Sequence, residues 1–497
     1  MSEKEHLQRA QLGLGDMDPT DFRLAAHRVA DLAADYFERL ESYPVLPDLE
    51  PGSVRAEIPA APPEGPESLD RILGDYLRLV EPNISHWQHP GWMAYFCSIA
   101  SGPGILGEWL AATLNSNVMF WRNAPASTEI EEVVVAWLRQ MFGLPIDFDG
   151  MFTDTASVST LLSIVAARHA VPGLDAREEG LAGRPAIGRL RLYCSSETHS
   201  SIEKAALVSG LGRKGVRRIP VDEAFAMRAD VLTEAIAEDR AAGWLPVCVV
   251  ATLGTTSTTS VDPVGVIAEI CARQKIWLHV DAAYAGSAAL VEEMRPLFAG
   301  WERADSIVIN PHKWMFTPFD ASLLLFRDPE LYRDAFSLVP EYLKVHPTEP
   351  VHNFHEYGIQ LGRRFRALKL WFMIRYFGVE GMAARIRESC RQAALLRTWV
   401  EAAPGWEMLA PTPFSTLCLR YRPPSLDPQR DIERINELNE RVMAVVNATG
   451  KIFLSHTKLD ERYAIRVTLG NPRAGEEHVA LCWRLLCEAA TRLAPGI

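Results

Sequence analysis

The sequence predicts an α/β protein, with a mainly parallel sheet carrying helices on its faces and a smaller α/β unit after it. Three observations predict it. Between residues 189 and 326, short apolar runs alternate with helical spacings, placing strands at Leu190–Cys194, Val216–Val221, Val247–Thr252, Ile276–Asp281, Ser306–Asn310 and Ser322–Phe326. Two of these runs end on chemistry-bearing residues: one closes on Asp281, and the other breaks at Pro311 into His312 and Lys313. Groups just past the C-terminal ends of strands overhang the crevice where open α/β sheets bind ligands. From about residue 386 the pattern changes, with strands expected near 415–420, 451–455 and 463–469 and helices near 431–447 and 475–492.

The chain of 497 residues is long enough for two to three domains, and its 48% hydrophobic content supplies ample core. A net charge of −12 argues against nucleic acid or an anionic membrane as partner. No apolar run approaches the roughly 18 residues of a membrane span, and the N-terminus lacks an apolar signal core. The eight cysteines are scattered without metal-binding pairs, and several, such as Cys248, sit in apolar runs; this usage fits a reducing cytoplasm.

Taken in order, residues 1 to about 17 are polar. Asp18-Pro19-Thr20-Asp21 then supplies a cap and a first-turn proline. Apolar residues at Phe22, Ala25, Val29, Leu32, Tyr36, Phe37 and Leu40 follow at helical spacing, a stripe with no adjacent core of its own. The proline-rich stretch 44–66 reads as an extended connector. His86 and His89 are three apart, but Pro90 interrupts any helix and no third ligand lies near, so no metal is expected. Trp87, Tyr95 and Phe96 form an aromatic cluster, core by default.

A helix is expected over Thr128–Met141, opened by a Thr128/Glu131 capping box and stopped by Gly143, burying Ile130, Val133, Val134, Trp137 and Met141. Thr155-Ala156-Ser157 precedes another apolar helix, and small residues with a hydroxyl at a helix N-terminus make an anion site. Gly210 to Gly215 fits G-x-G-x-x-G but follows a helix and precedes a strand, the reverse of the dinucleotide order, and is rejected. His199 follows the first strand of the alternating region. Leu343–Tyr357 is irregular, with His346, His352 and His355 at spacings that make a weak case for metal. Leu361 opens a basic amphipathic helix running to Tyr376.

Alone, Asn310-Pro311-His312-Lys313 is a turn with a solvated lysine, and Asp281 a helix cap. Together they suit an aldehyde cofactor: lysine bonds its carbonyl and aspartate keeps its pyridine nitrogen protonated. The pairing of His279-Val280-Asp281-Ala282-Ala283-Tyr284-Ala285-Gly286 with Asn310-Pro311-His312-Lys313-Trp314 resembles the group II pyridoxal-phosphate decarboxylases, and within them the aromatic-L-amino-acid decarboxylases. The resemblance runs from about Met17 to Val479. It implies the fold-type-I (aspartate-aminotransferase-like) architecture, with a seven-stranded sheet in a large domain. The implied division is 1–85 (an N-terminal segment wrapping a second subunit), 86–385 (cofactor binding) and 386–497 (small domain). It also implies a homodimer with a shared active site and substrate-pocket residues at the subunit contact.

The cofactor would be pyridoxal 5'-phosphate, covalent on Lys313, with Asp281 on its ring nitrogen and His199 flat against the ring. Thr252 and His312 would hold its polar edge, and Ala156, Ser157 and Asn310 its phosphate. Trp87, Tyr95, Phe96 and Ser98, with His199, would form the substrate pocket; Cys97-Ser98 departs from the Pro-Thr usual in animal relatives. Pro340-Glu341-Tyr342-Leu343 matches the family's catalytic loop, which makes Tyr342 the proton donor to Cα. Arg363 matches the family pattern without an assigned role, as do Phe453–Thr457, Arg466 and Gly470-Asn471 in the C-terminal part. Gly362, small where some phenol-preferring plant relatives carry Ser, suits an indole. The implied reaction is decarboxylation of an aromatic L-amino acid to its amine. An aromatic aldehyde synthase, a glutamate or sulfinoalanine decarboxylase, and a non-catalytic cofactor-binding protein are the alternatives. Tyr342 with His199 speaks against the first, and Trp314 with Tyr95-Phe96 against the second.

Overall fold

Strands buried on both faces must be almost continuously apolar, because neither side meets water. The run Val247–Ala251 obeys this, each residue at most 2% exposed. The structure, a computed structural model, describes residues 16–184, 188–338 and 351–496. Its main sheet has seven strands: β1 (Asp149–Thr153), β2 (Arg189–Ser195), β3 (Val216–Ile219), β4 (Trp244–Thr252), β5 (Trp277–Asp281), β6 (Ser306–Ile309) and β7 (Ser322–Phe326). Their order is β1-β7-β6-β5-β4-β2-β3, and all run parallel except β7, which is antiparallel to both neighbours. One large apolar cluster fills both faces of this sheet. A second sheet, β8 (Trp406–Met408), β9 (Thr416–Tyr421), β10 (Ser455–Leu459) and β11 (Arg462–Thr468), is antiparallel throughout and has its own core.

Four helices matter for the site. The first, α1 (Pro19–Glu38), is capped by Asp18, whose side chain accepts from the Thr20 amide. Next come α2 (Pro125–Met141) and α3 (Ala156–His169), which flank β1; α4 (Ala367–Ala402) is kinked at Gly378, where φ is 65°. On α1, Phe22, Leu24 and Val29 stay about half-exposed among the described residues.

Several expectations are corrected. The expected capping box is not one: α2 starts at Pro125, and Thr128 lies inside it with its amide on the Ala124 carbonyl. Glu131 instead accepts from the Phe152 amide and pairs with Arg363. Val133 faces outward, 43% exposed. Strand β1 was not foreseen, because Asp149 and Gly150 are poor strand formers. Glycine is required at 150, since a Cβ there would lie 2.5 Å from the Leu324 carbonyl oxygen of β7. The helix expected from Leu361 begins only at Ala367, because residues 361–366 form a strap whose Arg363 is buried. The strand expected at 451–455 lies at 455–459, and the connector 44–66 contains a helical turn at Ser53–Glu57.

Candidate active site

The parallel strands deliver their C-terminal ends to one edge of the sheet. β5 ends in Asp281, β4 in Thr252, and β6 runs through Asn310 into one helical turn, Pro311–Trp314. Backbone hydrogen bonds tie these ends together: Leu253 N–H donates to Asp281 O (2.9 Å), Ala282 N–H to Val308 O (3.0 Å) and Asn310 N–H to Ala283 O (3.0 Å). On either side lie the N-terminus of α3, following β1, and His199, following β2.

These ends enclose a chamber of about 240 Å³ lined by Ala156, Ser157, His199, Thr252, Asp281, Asn310 and Lys313 among others. In α3 the first-turn bonds to Thr155 O come from Val158 and Ser159, which leaves the amides of Ala156 and Ser157 at the bare helix N-terminus. Two buried oxygens on the wall, Asn310 Oδ1 and Thr252 Oγ1, have no hydrogen-bond partner among the described residues. Asp281 is 6% exposed and accepts from the Ala283 amide at 3.1 Å. A helix N-terminus, two orphaned oxygens, a carboxylate and a lysine in one chamber fit a phosphorylated pyridine aldehyde.

The electrostatics suit that occupant. Burial lowers the basicity of Lys313 below an ordinary lysine; the Asp281 carboxylate opposes the shift, and Arg466 adds to it. A less basic amine spends more time unprotonated and nucleophilic. His199 is likewise depressed, by desolvation first, with Asp281 opposing and Lys313 assisting. The Ser201 amide donates into His199 Nδ1 (3.2 Å), so the neutral ring keeps its proton on Nε2.

A second chamber, about 500 Å³, shares Phe96 and Lys313 with the first and is otherwise walled by Trp87, Tyr95, Ser98, His312 and Phe319. Trp87 stacks on Trp92 (4.2 Å between centroids), and Phe96 stacks on Tyr284 (3.8 Å). The Lys313 ammonium lies 5.1 Å from the Phe96 ring centre. All four expected pocket residues, 87, 95, 96 and 98, thus meet Lys313 within one chain.

Two placements differ from expectation. His312 faces this outer chamber and not the cofactor-sized one; its Nδ1 accepts from the Ala321 amide (3.0 Å), and burial with Lys313 beside it takes its pKa down to about 3. Consecutive residues in one helical turn point about 100° apart, so Lys313 reaches both chambers while His312 reaches only the outer one. The Ser98 hydroxyl is committed to the backbone, donating to His312 O at 3.0 Å. Tyr342 and His346 lie outside the described residues. His352 contacts Glu132 (2.9 Å) and Asp149 (3.4 Å), His355 bonds Met119 O, His86 bonds Tyr36 Oη, and His89 Nδ1 accepts from the Gly91 amide. Each of these histidines thus has its own local partner. Sequence reasoning missed Tyr284, whose hydroxyl bonds Ser415 (2.7 Å) beneath Phe96, and Phe319, an isolated aromatic after Pro318 with no surrounding pattern.

Comparison with known proteins agrees with this arrangement. The chain is 37% identical to tyrosine decarboxylase 3 of Petroselinum crispum, over 98% of this chain and 95% of that one. It is 36% identical to a phenylacetaldehyde synthase of Arabidopsis thaliana, over 97% and 98%. Its fold matches the crystal structure of Oryza sativa TDC with PLP and tryptamine at a TM-score of 0.92, with 34% identity over 97% of this chain and 99% of that one. The family model of the pyridoxal-dependent decarboxylase conserved domain covers residues 51–422, from the connector before the aromatic chamber to β9, so the strand ends that carry Asp281 and Lys313 belong to an enzyme of the group II pyridoxal-phosphate-dependent decarboxylase family.

Proposed function

We propose that this enzyme removes CO2 from an aromatic L-amino acid, replacing the carboxylate at Cα by a proton to give the amine. The observation carrying the reading is the outer chamber: Trp87, Tyr95, Phe96 and Phe319 wall it, and among the described residues its lining includes no arginine and no lysine other than Lys313. An acidic side chain would need a cation there, whereas an aromatic ring gains from stacking and from apolar burial.

Bound pyridoxal phosphate supplies the chemistry that no side chain can, drawing the electron pair left by departing CO2 into its ring. The protein's own groups do the rest. Lys313, at the junction of the two chambers, would hold the cofactor through its aldehyde carbon. The Asp281 carboxylate would keep a proton on the pyridine nitrogen, and each pKa unit of that support is worth about 1.4 kcal/mol. The neutral His199 imidazole would orient the ring, and the Ala156 and Ser157 amides with Asn310 would hold the phosphate. Tyr342 returns the proton to Cα as a general acid.

The same reading makes the enzyme a cytoplasmic homodimer, supported by eight free cysteines and by the half-exposed Phe22, Leu24 and Val29 of α1. It also keeps the division at residues 85 and 385. One second reading has an observation behind it, the likeness to a phenylacetaldehyde synthase. That enzyme's name marks an aldehyde product, which here would mean consuming O2 and water and releasing aldehyde, CO2, ammonia and hydrogen peroxide. The test is CO2 release from a panel of twenty L-amino acids with product identification. Turnover confined to tryptophan, tyrosine, phenylalanine or DOPA, with amine formed and no peroxide, is expected. Equal turnover of glutamate or cysteine sulfinate would overturn the substrate class, and peroxide matching CO2 would favour the second reading.

A further inference from the structure

The aromatic chamber is held from outside by the small sheet, at a strained point. Tyr95 adopts φ of 54°, in the left-handed region. A side chain with a Cβ is disfavoured there, and such strain persists only where the surroundings impose it. Its consequence is geometric. In extended chain, neighbouring side chains point to opposite sides, yet Tyr95 and Phe96 line the same chamber. The left-handed turn between them is what brings both to one side.

Two small-sheet residues grip that turn. The Ser455 hydroxyl accepts from the Tyr95 amide (3.2 Å), and Arg466 Nη1 donates to the Tyr95 carbonyl. Ser455 and Arg466 are directly paired neighbours on β10 and β11, so one rung of the ladder presents both groups. Arg466 is 4% exposed, and no ion pair is found for it among the described residues. Its guanidinium sits 4.6 Å over the Phe96 ring, and its Nε donates to Ser257 O (2.9 Å) in the loop that follows Thr252. A desolvated arginine spent on carbonyls and an aromatic face, with no carboxylate partner, is an expensive arrangement for packing alone. The adjoining backbone runs the same way: Met93 N–H donates to Phe453 O (3.0 Å), and Thr468 N–H to Met93 O (2.8 Å).

We propose that Ser455 and Arg466 form a positioning clamp that fixes the left-handed turn at Tyr95 and thereby sets which aromatic side chain the substrate chamber accepts. The clamp rests on the proposed reading of that chamber as the amino-acid side-chain site. Neither residue lines either chamber, so both act on the aromatic wall through Tyr95 and Phe96, and Arg466 bears in addition on Lys313 through its charge.

The test compares Ser455→Ala, Arg466→Lys and Arg466→Gln with wild type, each as the cofactor-loaded full chain. kcat and KM are measured for L-tryptophan and L-tyrosine, with melting temperature and the visible absorbance of bound cofactor as controls. Losing one hydrogen bond to a strained peptide should raise KM about threefold to tenfold in Ser455→Ala, with kcat within about twofold. The tryptophan-to-tyrosine ratio of kcat/KM should shift with it. Arg466→Gln should do more, and Arg466→Lys, which keeps a cation able to reach one carbonyl, should fall between. A wild type active on aromatic substrates, with KM and the ratio within twofold in all three variants, overturns the clamp and leaves the functional reading intact. So does a joint fall of kcat and melting temperature at constant KM. Should Arg466→Gln fail to fold, the near-isosteric Ser455→Ala decides alone. A wild type that turns over no aromatic amino acid overturns the functional reading, and the clamp with it.

Discussion

Removing Arg363 tests how the cofactor-sized chamber is held from beneath. The residue is 6% exposed; its Nη2 pairs with Glu131, which is fully buried, and donates to Phe152 O (2.8 Å). Its Nη1 donates to Val118 O (2.9 Å), and its own amide donates to Asn117 (2.9 Å). Glu131 also accepts from the Phe152 amide (3.0 Å). The pair thus ties α2 and the 361–366 strap to β1, whose next turn presents Ala156 and Ser157. Arg363→Met strands a buried carboxylate and orphans two carbonyls. Breaking a buried pair from one side costs about 3–5 kcal/mol, and Glu131→Gln, which keeps an acceptor for Phe152, should cost less. The double variant should be more stable than the sum of the single effects predicts, because neither charge is left alone; a coupling of about 1–3 kcal/mol is expected. Denaturant unfolding of the cofactor-loaded enzyme reads the stability, and equilibrium dialysis reads cofactor affinity, which should weaken in Arg363→Met. Strict additivity, or a cost below about 1 kcal/mol for Arg363→Met, would mean that the pair does not hold β1 in place.

Asp281→Asn should keep the fold and bind cofactor but lose turnover on the order of a thousandfold, since each pKa unit of pyridine support is about tenfold in rate; steady-state assay of a variant with normal cofactor content checks it. Tyr342→Phe should leave CO2 release intact while shifting product from amine towards aldehyde and peroxide, read by an oxygen electrode; amine alone at the wild-type rate would make Lys313 or His199 the proton donor. Stability should fall as pH drops below about 6.5, because burial holds His89 and His279 at about 4 and His312 at about 3. Their native pKa values lie below the unfolded value, so the unfolded chain takes up protons that the folded one refuses, until pH falls to about 4. Asp262, which burial raises to about 7, takes up a proton in the folded state and opposes the three histidines, so the net slope near pH 5 should approach about 3 kcal/mol per pH unit. His279→Asn should lower that slope by about 1 kcal/mol per pH unit in pH-dependent denaturant unfolding.

The legible parts of this molecule were those whose signal is local. Val247–Thr252 and Ser306–Ile309 read as buried strands because a doubly covered strand admits almost nothing polar. Asp281 and Lys313 stood out because strand ends carry ligand chemistry. What failed depended on partners far along the chain. Thr128 and Glu131 have capping-box spacing, but Arg363, 232 residues away, takes the glutamate. β1 hid behind Asp149 and Gly150, a glycine that makes sense only beside β7. His312 looked like a partner of the cofactor until one helical turn directed it to the other chamber. Arg466 matched the family pattern, but its role stayed unread because it comes from the Tyr95 turn, 371 residues away.

Lys313, at the shared wall of the two chambers, is the residue placed to hold the cofactor. Borohydride reduction of the cofactor-loaded enzyme fixes the attached group, and peptide mass spectrometry locates it. A single pyridoxyl-phosphate tag on Lys313 is expected, absent from Lys313→Ala, which should also lose the visible band and turnover by orders of magnitude. A tag found mainly on another lysine would contradict it.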